Sequence, residues 1–138
     1  MNESTKGQMQ EPMAITCSID HDRRYMQATA RGAVACADIL AHLQEEHSTQ
    51  GLNYPELIDG REATAAWSSR EAHDIVDRLK TLGRESGLGP TAVLVSSDHA
   101  YGMIRMLELL LEGVCAVRPF RDLETAKNWL LSQSRPVN

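Results

Sequence analysis

The stretch AITCSIDHDRRYMQATAR, Ala14 to Arg31, decides the fold. Ile15, Cys17 and Ile19 alternate with Thr16, Ser18 and Asp20, the period of a half-buried strand. Met26, Ala28 and Ala30 alternate with Gln27, Thr29 and Arg31 in the same way, and HDRR supplies a polar turn between them. Two such strands read as an antiparallel hairpin with one wet face.

Downstream, helix and strand alternate. ADILAHLQEEH puts Ile39, Leu40 and Leu43 on one side of a helix, with Gln44, Glu45 and Glu46 turned away. PELID is a short strand ending at Asp59-Gly60, and a long loop from Gly60 to Trp67 follows it. A second helix from Ser69 to about Leu82 carries Ala72, Ile75, Val76, Leu79 and Leu82, and GRESGLGP stops it. TAVLVSS is a continuous apolar run, as expected of a central strand covered on both faces. A helix from Asp98 to Glu112 ends at Gly113, and VCAVRPF is a last strand whose proline suits a sheet edge. DLETAKNWLL closes the domain as a helix capped by Asp122. The order ββαβαβαβα requires parallel pairing of the helix-linked strands through right-handed crossovers, hence a mixed α/β sheet opened by a hairpin.

A chain of 138 residues fits one domain, here residues 14–131, with a disordered N-terminal tail at 1–13 and a C-terminal tail at 132–138. A net charge of −5, with no basic stripe interleaved with aromatics, disfavours nucleic acid as a partner. The polar start MNESTKGQMQEPM is no signal peptide and no apolar run reaches membrane-spanning length, so a cytoplasmic protein without a transmembrane segment is expected. Cys17, Cys36 and Cys115 form no CxxC and read as small buried hydrophobes.

The densest chemical stretch is AWSSREAHD, Ala66 to Asp74. Ser68 to Glu71 is an S-x-x-E capping box, which explains the serine as a helix start worth about 1 kcal/mol. The rival reading is a small hydrolase using Ser69 and His73, with Asp98 in reserve. Against it, Asp74 projects about 100° from His73 around the helix, and no G-x-S-x-G elbow exists. His42 and Glu46 stand at i,i+4 with His47 close by, but HExxH is absent. A solvated helix face accounts for them, so no metal and no cofactor is expected.

The element order and the closing FRDLETAKNWL, with Phe120, Asp122, Ala126, Trp129 and Leu130, resemble the STAS superfamily, in particular its small stand-alone bacterial SpoIIAA-like branch. The resemblance implies a single α/β domain with helices mainly on one face, acting without catalysis as a regulatory or binding module. Phospho-regulated members carry Asp-Ser-Ser-Gly at the start of the second helix. Here Trp67-Ser68-Ser69-Arg70 keeps both serines as candidate phosphoacceptors and loses the flanking aspartate and glycine.

Ligands of open α/β sheets usually sit beyond the C-terminal ends of parallel strands. That rule singles out Asp59, Arg61, Trp67, Ser97, Asp98 and Arg118 as a candidate ligand or partner surface. Asp98 is also a candidate N-cap for its helix. On that helix, Met103 and Met106 join an apolar arc of roughly 160°, broader than the usual stripe, and Tyr101, outside the arc, extends the candidate surface with them. Such breadth suits burial between helices, a homodimer surface or an apolar-ligand pocket. The expected function is therefore to bind a protein partner or a small, apolar or lipid-like ligand, with homodimerisation as a separate expectation.

Overall fold

A computed structural model describes residues 13–134. Strands β1 (Ile15–Asp20) and β2 (Tyr25–Val34) form the hairpin. Ile15 pairs with Ala30 and Asp20 with Tyr25 in antiparallel register. The turn closes with Arg24 in the left-handed region at φ 55° and with the Asp20 carboxylate accepting from the Arg23 N–H at 3.0 Å. There follow α1 (Cys36–Ser48), β3 (Glu56–Ala65), α2 (Ser69–Ser86), β4 (Thr91–Leu94), α3 (Asp98–Leu110), β5 (Val117–Phe120) and α4 (Leu123–Ser134). This is the expected ββαβαβαβα order. The helix α4 runs on to Ser134, into the segment read from sequence as a tail, and residues 1–12 and 135–138 lie outside the described part.

The sheet order is β1-β2-β3-β4-β5, with every pair after the hairpin parallel. When strands add in one direction and crossovers are right-handed, the linking helices fall on a single face. The packing agrees. Ile39 of α1 meets Ala28, Ala30 and Ile58, and Ala100, Tyr101 and Ile104 of α3 meet Val93, Val95 and Val117. The helix α2 joins α1 and α3 in one core through Ile75, Val76, Leu79, Leu43 and Leu107. Only α4, which links no two strands, folds onto the other face, where Ala126 and Leu130 pack on Leu57, Ala92, Leu94 and Phe120. Helices therefore lie mainly on one face, three against one. The β1–β2 end of the α4 face stays wet, with Thr16, Ser18, Asp20 and Gln27 exposed.

Two segments differ from the sequence expectation. Residues Gly60 to Ala65 are strand, not loop. Their small residues give little apolar contrast, so periodicity cannot identify them. Pairing decides instead: β2 continues past a bulge between Thr29 and Arg31, and Arg31 to Val34 pair with Glu62 to Ala65. The other difference is the start of α3, where Ser97 is the N-cap and accepts from the Ala100 N–H at 3.0 Å. Asp98 is the first helical residue, and Arg121 Nη2 lies 2.7 Å from its exposed carboxylate.

Candidate functional site

A cavity of about 160 Å³ lies between the sheet and the three-helix layer. Its walls are mostly apolar: Ile58, Val93 and Val95 from the sheet, and Ile75, Leu79 and Ile104 from the helices. Trp67, 5% exposed, also lines it. The chain leaves β3 at Ala65, and the Ala66 N–H bonds to Val34 O at 2.8 Å. The indole then packs in the core with Cys36, Leu43 and Ala72. The same indole thus belongs both to the core and to the cavity wall.

One part of the wall is polar. His42, Glu46 and Glu56 all line the cavity and are only 6%, 3% and 3% exposed. Glu56 opens β3, and its side chain shares the helix-covered face with Ile58, because side chains alternate along a strand. His42 and Glu46 fall on the buried face of α1 with Leu43. His42 Nε2 sits 2.8 Å from Glu56 Oε2 and 2.9 Å from Glu46 Oε2. One N–H serves one acceptor well, and Glu46 Oε2 is left without a hydrogen bond, as is His42 Nδ1. Cys17, from β1, brings its Sγ to 3.9 Å from Glu56 Oε2.

Burial opposes charge on the His42 imidazole, but the carboxyl groups of Glu46 and Glu56 at 2.9 and 2.8 Å outweigh it and push its pKa up to about 10. Burial raises the Glu46 carboxyl above the usual range, against the pull of His42. Burial, then the charge of Glu56, pushes the Cys17 thiol up to about 12. The solvated helix face expected for His42 and Glu46 is thus corrected: both are buried. The sequence does carry a signal for this. Ile39, His42, Leu43 and Glu46 fall at i, i+3, i+4 and i+7, one helix face, so the histidine and glutamate sit on the apolar stripe itself.

Of the residues assigned from sequence to a ligand or partner surface, Trp67 lines the cavity. The others lie on the outside. Asp59 is bound to Arg61 at 2.8 and 2.9 Å, which holds its carboxyl below the ordinary range. Arg118 donates to Glu108 at 2.9 Å and lies over the Trp129 ring. Asp98 holds Arg121, which lies over Tyr101. Met103 and Met106 are half-buried against the helix-layer core, so packing within the chain takes up most of the broad apolar arc. Ser68 and Glu71 form the expected capping box, at 3.1 and 2.9 Å. Ser69 and His73 are exposed, and among the described residues no hydrogen bond joins them.

The chain has a SpoIIAA-like α/β fold. A solved structure from Shewanella loihica PV-4, described as an uncharacterised protein of the DUF3478 family with a SpoIIAA-like fold, is similar to it. That protein is 20% identical, the match covers 90% of this chain and 99% of that one, and the TM-score is 0.53. No family model and no curated protein matches the sequence. Among the described residues no helix is long and apolar enough to cross a membrane.

Proposed function

We propose that this protein is a non-catalytic STAS-like binding module whose internal cavity receives a small apolar ligand. The cavity carries this reading. Leaving 160 Å³ unfilled costs about 4 kcal/mol at ~24 cal/mol per Å³, a large share of a stability of about 5–15 kcal/mol. An apolar void of about 150 Å³ stays dry and takes up benzene-sized molecules. A ring or short alkyl group of that size therefore suits the interior, and each buried methylene contributes about 0.8 kcal/mol. Among the described residues, Ser69 and His73 face solvent, away from the cavity.

Toluene is the direct probe, read by melting temperature and by Trp67 emission in a Trp129→Phe background. Saturable binding should raise the melting temperature by several degrees and change the emission. His73→Ala should leave both responses intact. A folded protein indifferent to saturating toluene, or ester turnover abolished by His73→Ala, would overturn the proposal.

A phospho-switch fits Ser69 better than Ser68. The Ser68 hydroxyl accepts from the Glu71 N–H, and the Glu71 carboxylate lies 2.9 Å from the Ser68 nitrogen, where a phosphate would meet like charge. Intact-mass measurement of protein from its host reads this directly, and an unmodified chain that no host kinase labels argues against it. Docking to a protein partner, homodimerisation and a cytoplasmic location remain part of the proposed module rather than properties of the cavity.

A further inference from the structure

We propose that Cys17, His42, Glu46 and Glu56 form a binding site for a zinc-class divalent cation at the polar end of the cavity. Three elements bring the donors together: β1 supplies the thiol, α1 the imidazole and one carboxylate, and β3 the other carboxylate. One ligand atom from each lies within 4.8 Å of all the others. Bonds of about 2.0–2.3 Å to nitrogen, oxygen and sulfur in a tetrahedral shell need separations of about 3.3–3.8 Å, so a pair near the outer limit would close by about an ångström. The 2.8 and 2.9 Å contacts of His42 Nε2 would open by a few tenths of an ångström, and the 3.9 Å thiol contact would tighten.

A second observation points to an occupant. Glu46 is 3% exposed, and its Oε2 faces the imidazole nitrogen already engaged by Glu56, with no hydrogen bond of its own. The one N–H at Nε2 cannot serve two buried carboxyl groups well, whereas a dication bonds to both and to the ring nitrogen. A sulfur, nitrogen and oxygen donor set selects a borderline-soft metal such as Zn²⁺ over Mg²⁺ or Ca²⁺. Binding is an exchange of the cation for protons. The Cys17 thiol, the His42 Nε2 and the Glu46 carboxyl each lose one to solvent, with no change of oxidation state. Cys17, half-buried on an edge strand, is the least enclosed of the four.

The test uses the full chain, dialysed against a chelator and titrated with Co²⁺ and then Zn²⁺. The expected result is one equivalent of Co²⁺ giving the intense visible bands of a four-coordinate ion and a thiolate-to-cobalt charge-transfer band, both bleached by Zn²⁺. Mg²⁺ should do neither. Cys17→Ser should lose the charge-transfer band, and Glu56→Gln should weaken Zn²⁺ binding on the order of 100-fold or more. Circular dichroism establishes that each variant is folded, and Cys115→Ser, outside the cluster, should behave as wild type. If Glu56→Gln does not fold, the Cys17→Ser spectrum decides alone. Absence of binding to the folded wild type, or an unchanged cobalt spectrum in Cys17→Ser, overturns the site. Toluene binding is a separate readout, so the two proposals fail independently.

Discussion

The two faces of the sheet are built from the same strands and differ in what they leave unfinished. On the α4 face, Leu57, Ala92, Leu94, Phe120, Ala126 and Leu130 meet side chain to side chain, all buried and all apolar. On the other face, the neighbouring residues Glu56, Ile58, Val93 and Val95 border a cavity and a buried ionic cluster. A single strand, β3, sends Leu57 to one and Glu56 to the other. The difference teaches that period-two alternation divides this sheet into a side packed without gaps and a side whose larger core also encloses a void. Void and unpaired polar atoms each lower stability, and both are confined to one side.

Breaking the ionic cluster should have the largest effect. His42→Ala leaves two buried carboxylates facing each other without a counter-charge, and should cost about 3–5 kcal/mol in urea unfolding. The pH dependence sharpens the assignment. With its pKa raised from 6.5 to about 10, His42 contributes stability fully present below 6.5 and lost as pH rises through about 10. The raised Glu46 carboxyl acts in the same sense, losing stability above its ordinary 4.5, because the native state favours its protonated form. Stability should therefore fall between about pH 6 and pH 10 by a few kcal/mol. In His42→Ala the imidazole's share of that fall should disappear, and the Glu46 carboxyl, no longer pulled down by His42, should carry what remains to higher pH. A wild-type curve flat across this range would mean that the cluster is not charged as described.

The next contrast tests the void itself, with one substitution made on each face. Ala126→Leu, at a fully buried position on α4, overpacks the finished face and should destabilise by about 1–3 kcal/mol. Ala100→Leu, in the first turn of α3, points three added carbons at the cavity and should stabilise by about 1 kcal/mol while reducing toluene binding. Both positions are helical, so propensity nearly cancels in the comparison. Equal destabilisation at both would show that the two faces are packed alike.

Much of the fold was legible because its evidence is local. The alternation from Ile15 to Arg31, the stripe from Ala72 to Leu82 and the serine three residues before Glu71 each announce their element without knowledge of the rest. The second half of β3 was not legible, because Gly60, Ala63 and Ala65 become strand only through pairing with a bulged β2. The cavity was beyond reach for a related reason: a void is a property of how layers meet, and no residue encodes it alone. The cluster lay between these cases. His42 and Glu46 stand on the stripe of α1, but polar side chains there read as its wet margin until Glu56, across the layer, supplies a partner. The charged residues near the strand ends, by contrast, form the pairs Asp59–Arg61, Arg118–Glu108 and Asp98–Arg121, each with a solvent-exposed arginine, of the kind that contributes about 0–1 kcal/mol.

The smallest effect concerns the serines, and it separates two roles that sequence alone superimposes. Ser68→Ala removes the acceptor for the Glu71 N–H and should cost about 1 kcal/mol, with the Glu71 carboxylate still reaching back to the nitrogen of residue 68. Ser69→Ala, one residue further and exposed, should stay within about 0.5 kcal/mol of wild type. Urea midpoints at constant slope measure both. A structural serine beside a free one is what a capping box demands, and it leaves Ser69 available for modification at little cost to the helix. Should Ser69→Ala prove the more destabilising of the two, the cap geometry is wrong. The case for Ser68 as the phosphoacceptor would then reopen, because its hydroxyl would no longer be committed to the helix.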